Sequence, residues 1–363
     1  MVSIVMAGGG TAGHTSPLIA TAERLLAAGD VRITCVGTPK GLESRVVPAA
    51  GLDLVMIPPV PLPRRLTPEL LRVPARLARA VAESRRILRE RQADVVVGFG
   101  GYVSLPGYLA ARMMGVPVVL HEQNAVPGLA NKVAARFAAV VAVSFPGTPL
   151  PGARYVGGPV RAGIAGLDRA ASRDDARRAL GFDLEHPLLL VSGGSQGAVV
   201  INDATFGARD RLLAAGVDVL HVLGPRNLRP EHVVVTGPSG AQYRPVGYVD
   251  AMEQAYAAAD LMVGRSGSGT VVETAIVGLP VLFVPLPHGN GEQARNATFL
   301  VEGGAARLVD NADFDADRLL AEALPLLQSP ERLAAMSAAL RGLVPADAAE
   351  QLAQLVLDVA RRH

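Results

Sequence analysis

The feature that most constrains this chain is a unit it contains twice: a short apolar run, a glycine loop directly behind it, and then a helical pattern. Residues 3–7 run into Gly8-Gly9-Gly10-Thr11-Ala12-Gly13-His14, and residues 188–192 run into Gly193-Gly194-Ser195-Gln196-Gly197. A run too short for a helix, a turn that glycine backbones make tightly, and a helix folding back over the run together open a βαβ unit. Around each opening the alternation continues. Apolar runs and helical patterns succeed one another at 19–28, 33–36, 70–88, 95–98, 105–114, 116–120 and 140–143, and again at 201–215, 217–223, 261–263, 271–277 and 281–284. Such alternation predicts parallel sheets crossed by helices. A length of 363 residues suits two cores better than one, because domains cluster near ~100–150 residues. We therefore expect an α/β protein of two similar Rossmann-like domains, with the turn-rich stretch 146–158 leading into a linker near 157–161. A final helical pattern at 346–361 can close on either domain.

Half of the residues are apolar and 19% are charged, which supplies two buried sheets and excludes a disordered chain. The single cysteine, Cys35, lies in an apolar run and reads as core; no intramolecular disulfide can form, and a reducing compartment fits. No basic leader precedes the first run, and no apolar stretch approaches the ~18–20 residues that span a bilayer, so a cytosolic or peripheral protein is expected. Nicotinamide-dinucleotide domains also open with a glycine loop, but carry an acidic residue about 20 residues on to bind ribose. Here the second strand ends Cys35-Val36-Gly37-Thr38, which argues against a dehydrogenase.

The net charge of +2 hides an asymmetry: residues 1–161 hold 18 Lys/Arg against 9 Asp/Glu, and residues 162–363 hold 17 against 24. Nine arginines fall between Arg64 and Arg91, interleaved with Leu70, Leu71, Val73, Leu77, Val81 and Leu88. A basic amphipathic helix of this pattern is either a solvated face or a surface for anionic lipid, with Arg72, Arg76, Leu77 and Arg79 as its candidate contacts. Nucleic acid ranks last as a partner: tryptophan is absent, aromatics make up 4% of the chain, and none lies among the arginines to stack on bases.

The loops of the second half suit an anionic ligand. Backbone N–H groups at a helix start favour negative charge. The 192–198 loop adds the Ser195 hydroxyl and the Gln196 amide, which fits a diphosphate; a tight turn without a ligand is the alternative. A third loop, Gly264-Arg265-Ser266-Gly267-Ser268-Gly269-Thr270, leads into Val271-Val272-Glu273. Glu273, near the first turn, can accept from two vicinal hydroxyls, as ribose binding needs, or can merely favour a helix N-terminus. Next, Pro285-Leu286-Pro287-His288-Gly289-Asn290-Gly291-Glu292-Gln293 puts amide and carboxylate groups at a strand's carboxyl end, where sugar hydroxyls would be read.

Taken in order, Gly9-Gly10-Thr11-Ala12-Gly13-His14, Gly100-Gly101-Tyr102-Val103-Ser104, His121-Glu122-Gln123-Asn124, Gly158-Pro159-Val160-Arg161, the Ser195-Gln196 loop and residues 264–273 resemble the MurG family of glycosyltransferases. The resemblance runs from residue 2 to about residue 341, and six ordered motifs make it specific. It implies a GT-B fold, two Rossmann-like domains whose parallel sheets face a central cleft. The domains would be 1–160, facing acceptor and membrane, and 161–345, binding UDP-GlcNAc, with a helix at 346–363 crossing back onto the first. The implied activity is an inverting hexosyl transfer. N-acetylglucosamine moves from UDP to the C4 hydroxyl of N-acetylmuramic acid in undecaprenyl-diphosphate-MurNAc-pentapeptide, lipid I, giving lipid II for peptidoglycan and so for cell shape and division. The implied partners are the UDP-GlcNAc donor, the lipid I acceptor, other wall-synthesis proteins and the anionic cytoplasmic face of the plasma membrane, where the protein would be peripheral; no cofactor is implied.

Carried over by position, Thr11, Ala12 and Gly13 line the donor's sugar, which Asn124 contacts. Arg161 and Ser195 lie beside the nucleotide diphosphate, with Gln196 in the same loop, and the backbone of Val249 holds uracil. Ser268, Gly269, Thr270, Val271, Val272 and Glu273 cradle diphosphate and ribose, and Gln293 reads the N-acetylglucosamine hydroxyls. Two positions depart from the family pattern. Ala12 stands where glycine is common, so the backbone approach there is less close, and Glu292 stands where some relatives carry glutamine, so no sugar contact is assigned to it.

Displacement at the anomeric carbon passes through an oxocarbenium-like state, so such an enzyme must stabilise a departing diphosphate and deprotonate an incoming hydroxyl. Backbone loops can do the first. No DxD-type acidic pair stands in a suitable loop, Asp174-Asp175 lying in an arginine-rich stretch, so metal-independent catalysis is expected. His14 is the leading candidate base; capping or packing at the helix start is its other reading. His121 and Glu122 compete for the role, Glu122 also as a residue that orients a neighbour. The rivals are a related GT-B protein, such as a UDP-GlcNAc 2-epimerase or a natural-product glycosyltransferase, and a non-catalytic sugar-nucleotide-binding or scaffold protein.

Overall fold

A computed structural model describes residues 1–60, 71–287 and 291–362. The chain divides into two compact units, Met1–Arg161 with Pro345–His363, and Ala162–Val344. The borders thus fall after Arg161 and Val344, where the sequence places them after 160 and 345.

The first unit opens β1 (Val2–Ala7), α1 (Ala12–Ala27), β2 (Val31–Gly37), α2 (Glu43–Ala49), β3 (Asp53–Met56) and α3 (Val73–Glu90). It continues β4 (Val95–Gly98), α4 (Ser104–Met114), β5 (Val118–Glu122), α5 (Leu129–Ala134), β6 (Val140–Val143) and β7 (Ala153–Tyr155), and the last helix of the chain, α14 (Ala348–Arg362), joins it. Its strands pair in parallel in the order β3-β2-β1-β4-β5-β6-β7. The central strands read VSIVMA, VVVG and VVLHE because both of their faces are covered. One face buries Leu18, Ala22 and Leu25 of α1 with Leu352, Val356 and Leu357 of α14. The other buries Ile87 and Leu88 of α3 with Tyr108, Ala111 and Ala134 of α4 and α5. Cys35 is core, and burial pushes its thiol up to about 12.

The second unit begins α6 (Ala162–Ala165), α7 (Arg169–Leu180), β8 (Leu188–Ser192), α8 (Val199–Ala214), β9 (Asp218–Val222), β10 (Val235–Thr236), β11 (Gln242–Val246) and α9 (Met252–Ala258). It ends β12 (Leu261–Gly264), α10 (Ser268–Val277), β13 (Val281–Phe283), α11 (Glu292–Glu302), β14 (Ala306–Leu308), α12 (Ala316–Leu327) and α13 (Pro330–Leu340). The order is β10-β11-β9-β8-β12-β13-β14, parallel except where β10 meets β11.

Several elements differ from expectation for local reasons. The turn-rich stretch 146–158 contains β7, whose three residues are exposed and so lack the apolar signature of a central strand. The arginine-rich stretch around Asp174-Asp175 is α7, capped by the Asp168 carboxylate on the Ala171 N–H at 3.0 Å and ended by Gly181 in the left-handed region. Helix α3 begins at Val73, and Leu70, Arg64 and Arg65 lie outside the described residues. Its apolar stripe is divided: Val81 and Leu88 pack into the core, while Leu71, just before the helix, is 85% exposed.

Candidate active site

Strand order reverses between β1 and β4 in the first unit and between β8 and β12 in the second, and open α/β sheets bind ligands beyond the strand carboxyl ends at such points. In the first unit the loops after β1 and β4 meet there. The Phe99 N–H donates to the Ala7 carbonyl at 2.8 Å, and the Ser104 hydroxyl lies 2.7 Å from the carbonyls of Ala7 and Gly100. The approach is so close that a Cβ on Gly101, whose φ is +76°, would lie 2.7 Å from the Gly9 carbonyl oxygen and 3.5 Å from His14 Nδ1.

His14 is the third residue of α1 and is partly exposed. Thr11 precedes that helix, yet its hydroxyl makes no capping bond; it sits 3.0 Å from His14 Nδ1. With Nδ1 bonded, Nε2 is the nitrogen left to take a proton. Burial lowers the imidazole's pKa below its ordinary value, opposed by the Gly9 backbone and the Glu43 carboxylate.

His121 is in a different state. It is fully buried, its Nε2 lies 2.9 Å from the Gly157 carbonyl and its Nδ1 3.1 Å from the Gln123 amide, and burial lowers it to about 4. Both nitrogens are committed, so His121 is a packing histidine. Glu122 is also buried. One of its oxygens accepts from the Asn124 N–H at 2.9 Å; the other accepts from the Gly128 N–H at 3.0 Å and from Asn131 Nδ2 at 2.9 Å. Burial raises its pKa against the pull of these donors. The geometry therefore gives Glu122 the task of holding the loop that carries Asn124. Asn131, fixed in turn by the Tyr108 hydroxyl at 2.8 Å, completes the brace. Neither Asn131 nor Tyr108 stood out in the sequence, because each lies within an ordinary helix.

In the second unit, Ser195 and Gln196 are exposed at the tip of the loop after β8. The loop is braced by Asn227, whose amide donates to the carbonyls of Gln196 at 3.0 Å and Leu223 at 2.8 Å. Val249 lies in the loop after β11. After β12, Gly267 leads into α10, whose first residues are Ser268, Gly269 and Thr270. The N–H groups of that turn have no intrahelical acceptor, which makes it an anion site in type. Val271 and Val272 are core residues, and the Val271 N–H already donates to the Gly267 carbonyl, so a phosphate cradle there rests on the three residues before them. Glu273 is the sixth residue of α10, one turn later than expected, and accepts from the Tyr256 hydroxyl at 2.7 Å. Gln293 uses its carbonyl oxygen on the Leu286 N–H at 2.9 Å, and its NH₂ makes no hydrogen bond among the described residues. His288, Gly289 and Asn290 lie outside the described residues. Arg161, exposed, stands at the border of the first unit. Among the described residues, Arg72, Arg76 and Arg79 make no ion pair, whereas Arg86 pairs with Glu83 and Glu90.

Sequence reasoning missed Glu43. It is fully buried, and its carboxylate accepts from the Gly10 N–H at 2.8 Å and from the N–H and hydroxyl of Thr38 at 2.9 and 2.8 Å. Burial alone would raise its pKa, but the donors on Gly10, on its own backbone and on Thr38 together hold it below the usual carboxylate value. A weak signal was present, since Glu43 is the first residue of a helix that directly follows the β2 carboxyl end.

The glycosyltransferase family 28 N-terminal domain matches residues 4–143, and the glycosyltransferase family 28 C-terminal domain matches residues 188–352. A protein of Cutibacterium acnes is 61% identical over 366 residues, covering 99% of this chain and 98% of the relative. It is named UDP-N-acetylglucosamine–N-acetylmuramyl-(pentapeptide) pyrophosphoryl-undecaprenol N-acetylglucosamine transferase. A Nocardioides protein of the same name is 53% identical, with 98% of each chain covered. Among solved structures, the crystal structure of Acinetobacter baumannii MurG matches with a TM-score of 0.78 at 28% identity, over 99% of this chain and 100% of that one.

Proposed function

The chain belongs to glycosyltransferase family 28, and on that premise we propose that it is an N-acetylglucosaminyltransferase that uses UDP-GlcNAc and the lipid-linked acceptor lipid I to make lipid II. What carries the reading is the end-to-end likeness to the Cutibacterium acnes transferase, which extends through both sets of strand-end loops.

The second unit holds the donor. The N–H groups at the start of α10 and the loop with Ser195 and Gln196 take the diphosphate, Glu273 accepts from the ribose hydroxyls, the Val249 backbone meets the base, and Gln293 donates to the sugar. Arg161 adds a positive charge beside the phosphates. The first unit supplies Thr11, Ala12, Gly13, Asn124 and the base. His14 Nε2 takes the proton of the acceptor's C4 hydroxyl as that oxygen bonds to the anomeric carbon, and the bond from this carbon to the diphosphate oxygen breaks with its electrons leaving on UDP. A single displacement inverts the α-linked donor to a β-1,4 product. No step requires a metal, because the loops and the α10 dipole offset the charge that develops on the leaving group. No helix among the described residues is long and apolar enough to cross a membrane. The acceptor's polyprenyl chain lies in a bilayer, so we place the protein peripherally on the cytoplasmic membrane face, where Arg72, Arg76 and Arg79 meet anionic headgroups and Leu71 and Leu77 enter the headgroup layer.

The test is UDP release with a short-chain lipid I analogue in excess chelator. Release that depends on the acceptor and persists under chelation is expected. Release without acceptor, or none at all, sinks the transferase reading in favour of a hydrolase or a binding protein, and loss that a divalent ion restores sinks the metal-independent step.

A further inference from the structure

We propose that Glu43 is a positioning residue for this reaction: its carboxylate fills the anion site of the first glycine loop and thereby fixes Thr11 and His14. The inference rests on His14 as the base.

A glycine loop between a strand and a helix offers N–H groups that elsewhere hold a phosphate. Here the Gly10 N–H is taken by Glu43 at 2.8 Å. The site is built around that side chain. A Cβ on Gly9 would lie 2.5 Å from its carboxyl carbon, one on Gly37 would lie 2.6 Å from its Cγ, and one on Gly41 would overlap its oxygens. Three glycines, Gly9 after β1, Gly37 at the end of β2 and Gly41 in the loop that follows it, thus make room for one carboxylate. By contrast, a Cβ on Gly10 would meet nothing within 4 Å, so the loop is closed on the Glu43 side and open on the other. A loop that already contains an anion repels a second one, which leaves its open side for the neutral hydroxyls of a sugar. This explains why one fold unit can carry a glycine loop of nucleotide-binding type and yet leave the diphosphate to the other.

The same carboxylate acts on the base. It holds Gly10, the neighbour of Thr11, whose hydroxyl is 3.0 Å from His14 Nδ1. As the charged group that acts on His14, it also favours a proton on the imidazole. The other groups against His14 are the Gly9 backbone and the Gly100 and Gly101 turn; Glu122 is directed to Asn131, Asn124 and Gly128.

The test compares Glu43→Gln, which keeps the shape and removes the charge, with Glu43→Asp, which keeps the charge. In Glu43→Gln the NMR titration of the His14 ring, read without substrate, should move to lower pH. The acid limb of kcat/KM should move the same way and kcat should fall roughly tenfold, while KM for UDP-GlcNAc changes little. Glu43→Asp should restore the wild-type titration. An unmoved His14 titration in folded Glu43→Gln, or failure of both variants to fold, overturns the proposal. Because the ring titration needs no turnover, a moved titration with wild-type rates would instead remove His14 from the chemistry and leave Glu43's hold on it standing.

Discussion

His14 keeps an edge toward solvent and a hydroxyl partner, whereas His121 is sealed in the core with one nitrogen on the Gly157 carbonyl and the other on the Gln123 amide. General-base catalysis by a placed imidazole contributes ~10²–10⁴ in rate, so His14→Ala should lower kcat by about that factor. UDP affinity, measured calorimetrically, should stay at the wild-type value, because the nucleotide is assigned to the other unit. A rate near wild type would send the search for the base elsewhere. His14, His121 and Glu122 were all visible in the sequence as candidates, since each stands in a family motif. What could not be read was the division of labour among them, because it depends on burial and on which donors reach which oxygen. Glu43 escaped notice for a related reason: 33 residues separate it from Gly10, and nothing in a local motif records that a side chain returns to an earlier loop.

At the level of elements, the loop after β8 shows how backbone shape and ligand binding are tied. Gly197 has φ +74°, and a Cβ there would overlap the Leu223 carbonyl oxygen, so the loop must move if the residue changes. Gly194, at φ +87°, has nothing within 4 Å and meets only the backbone penalty. Strain of ~1–3 kcal/mol at the donor loop predicts that Gly197→Ala weakens UDP binding by roughly fivefold to a hundredfold, with Gly194→Ala milder. Equal UDP titrations for the wild type and Gly197→Ala would exclude the loop from the donor site. Strands of this sheet were legible because β8, β12 and β13 are short apolar runs, buried on both faces. Helix α7 was not. Its sequence, RAASRDDARRAL, looks like a solvated stretch, yet Arg177 is fully buried, its guanidinium 2.5 Å from Asp260 and bonded to the carbonyls of Ala258 and His186. A charge that is buried and paired is written in the sequence as an exposed one.

For the molecule as a whole, the two units carry opposite charge. Lys and Arg outnumber Asp and Glu by 20 to 12 in the first and are outnumbered by 21 to 15 in the second. Within the first unit the excess is sharpened at α3 and the residues just before it, where Arg86 is neutralised by two glutamates while Arg72, Arg76 and Arg79 make no ion pair among the described residues and Leu71 beside Arg72 is 85% exposed. Basic residues near an anionic leaflet contribute about 1 kcal/mol each, and their attraction falls off within a Debye length of roughly 8–10 Å at moderate salt. Replacing all three arginines by glutamine should therefore weaken co-sedimentation with anionic vesicles by about a hundredfold, while UDP binding is unchanged. Raising salt should mimic the substitutions for the wild type and have little further effect on the variant. Equal binding of the wild type to neutral and anionic vesicles, or none to either, would reduce α3 to a solvated helix and leave the acceptor's lipid to be met by another surface.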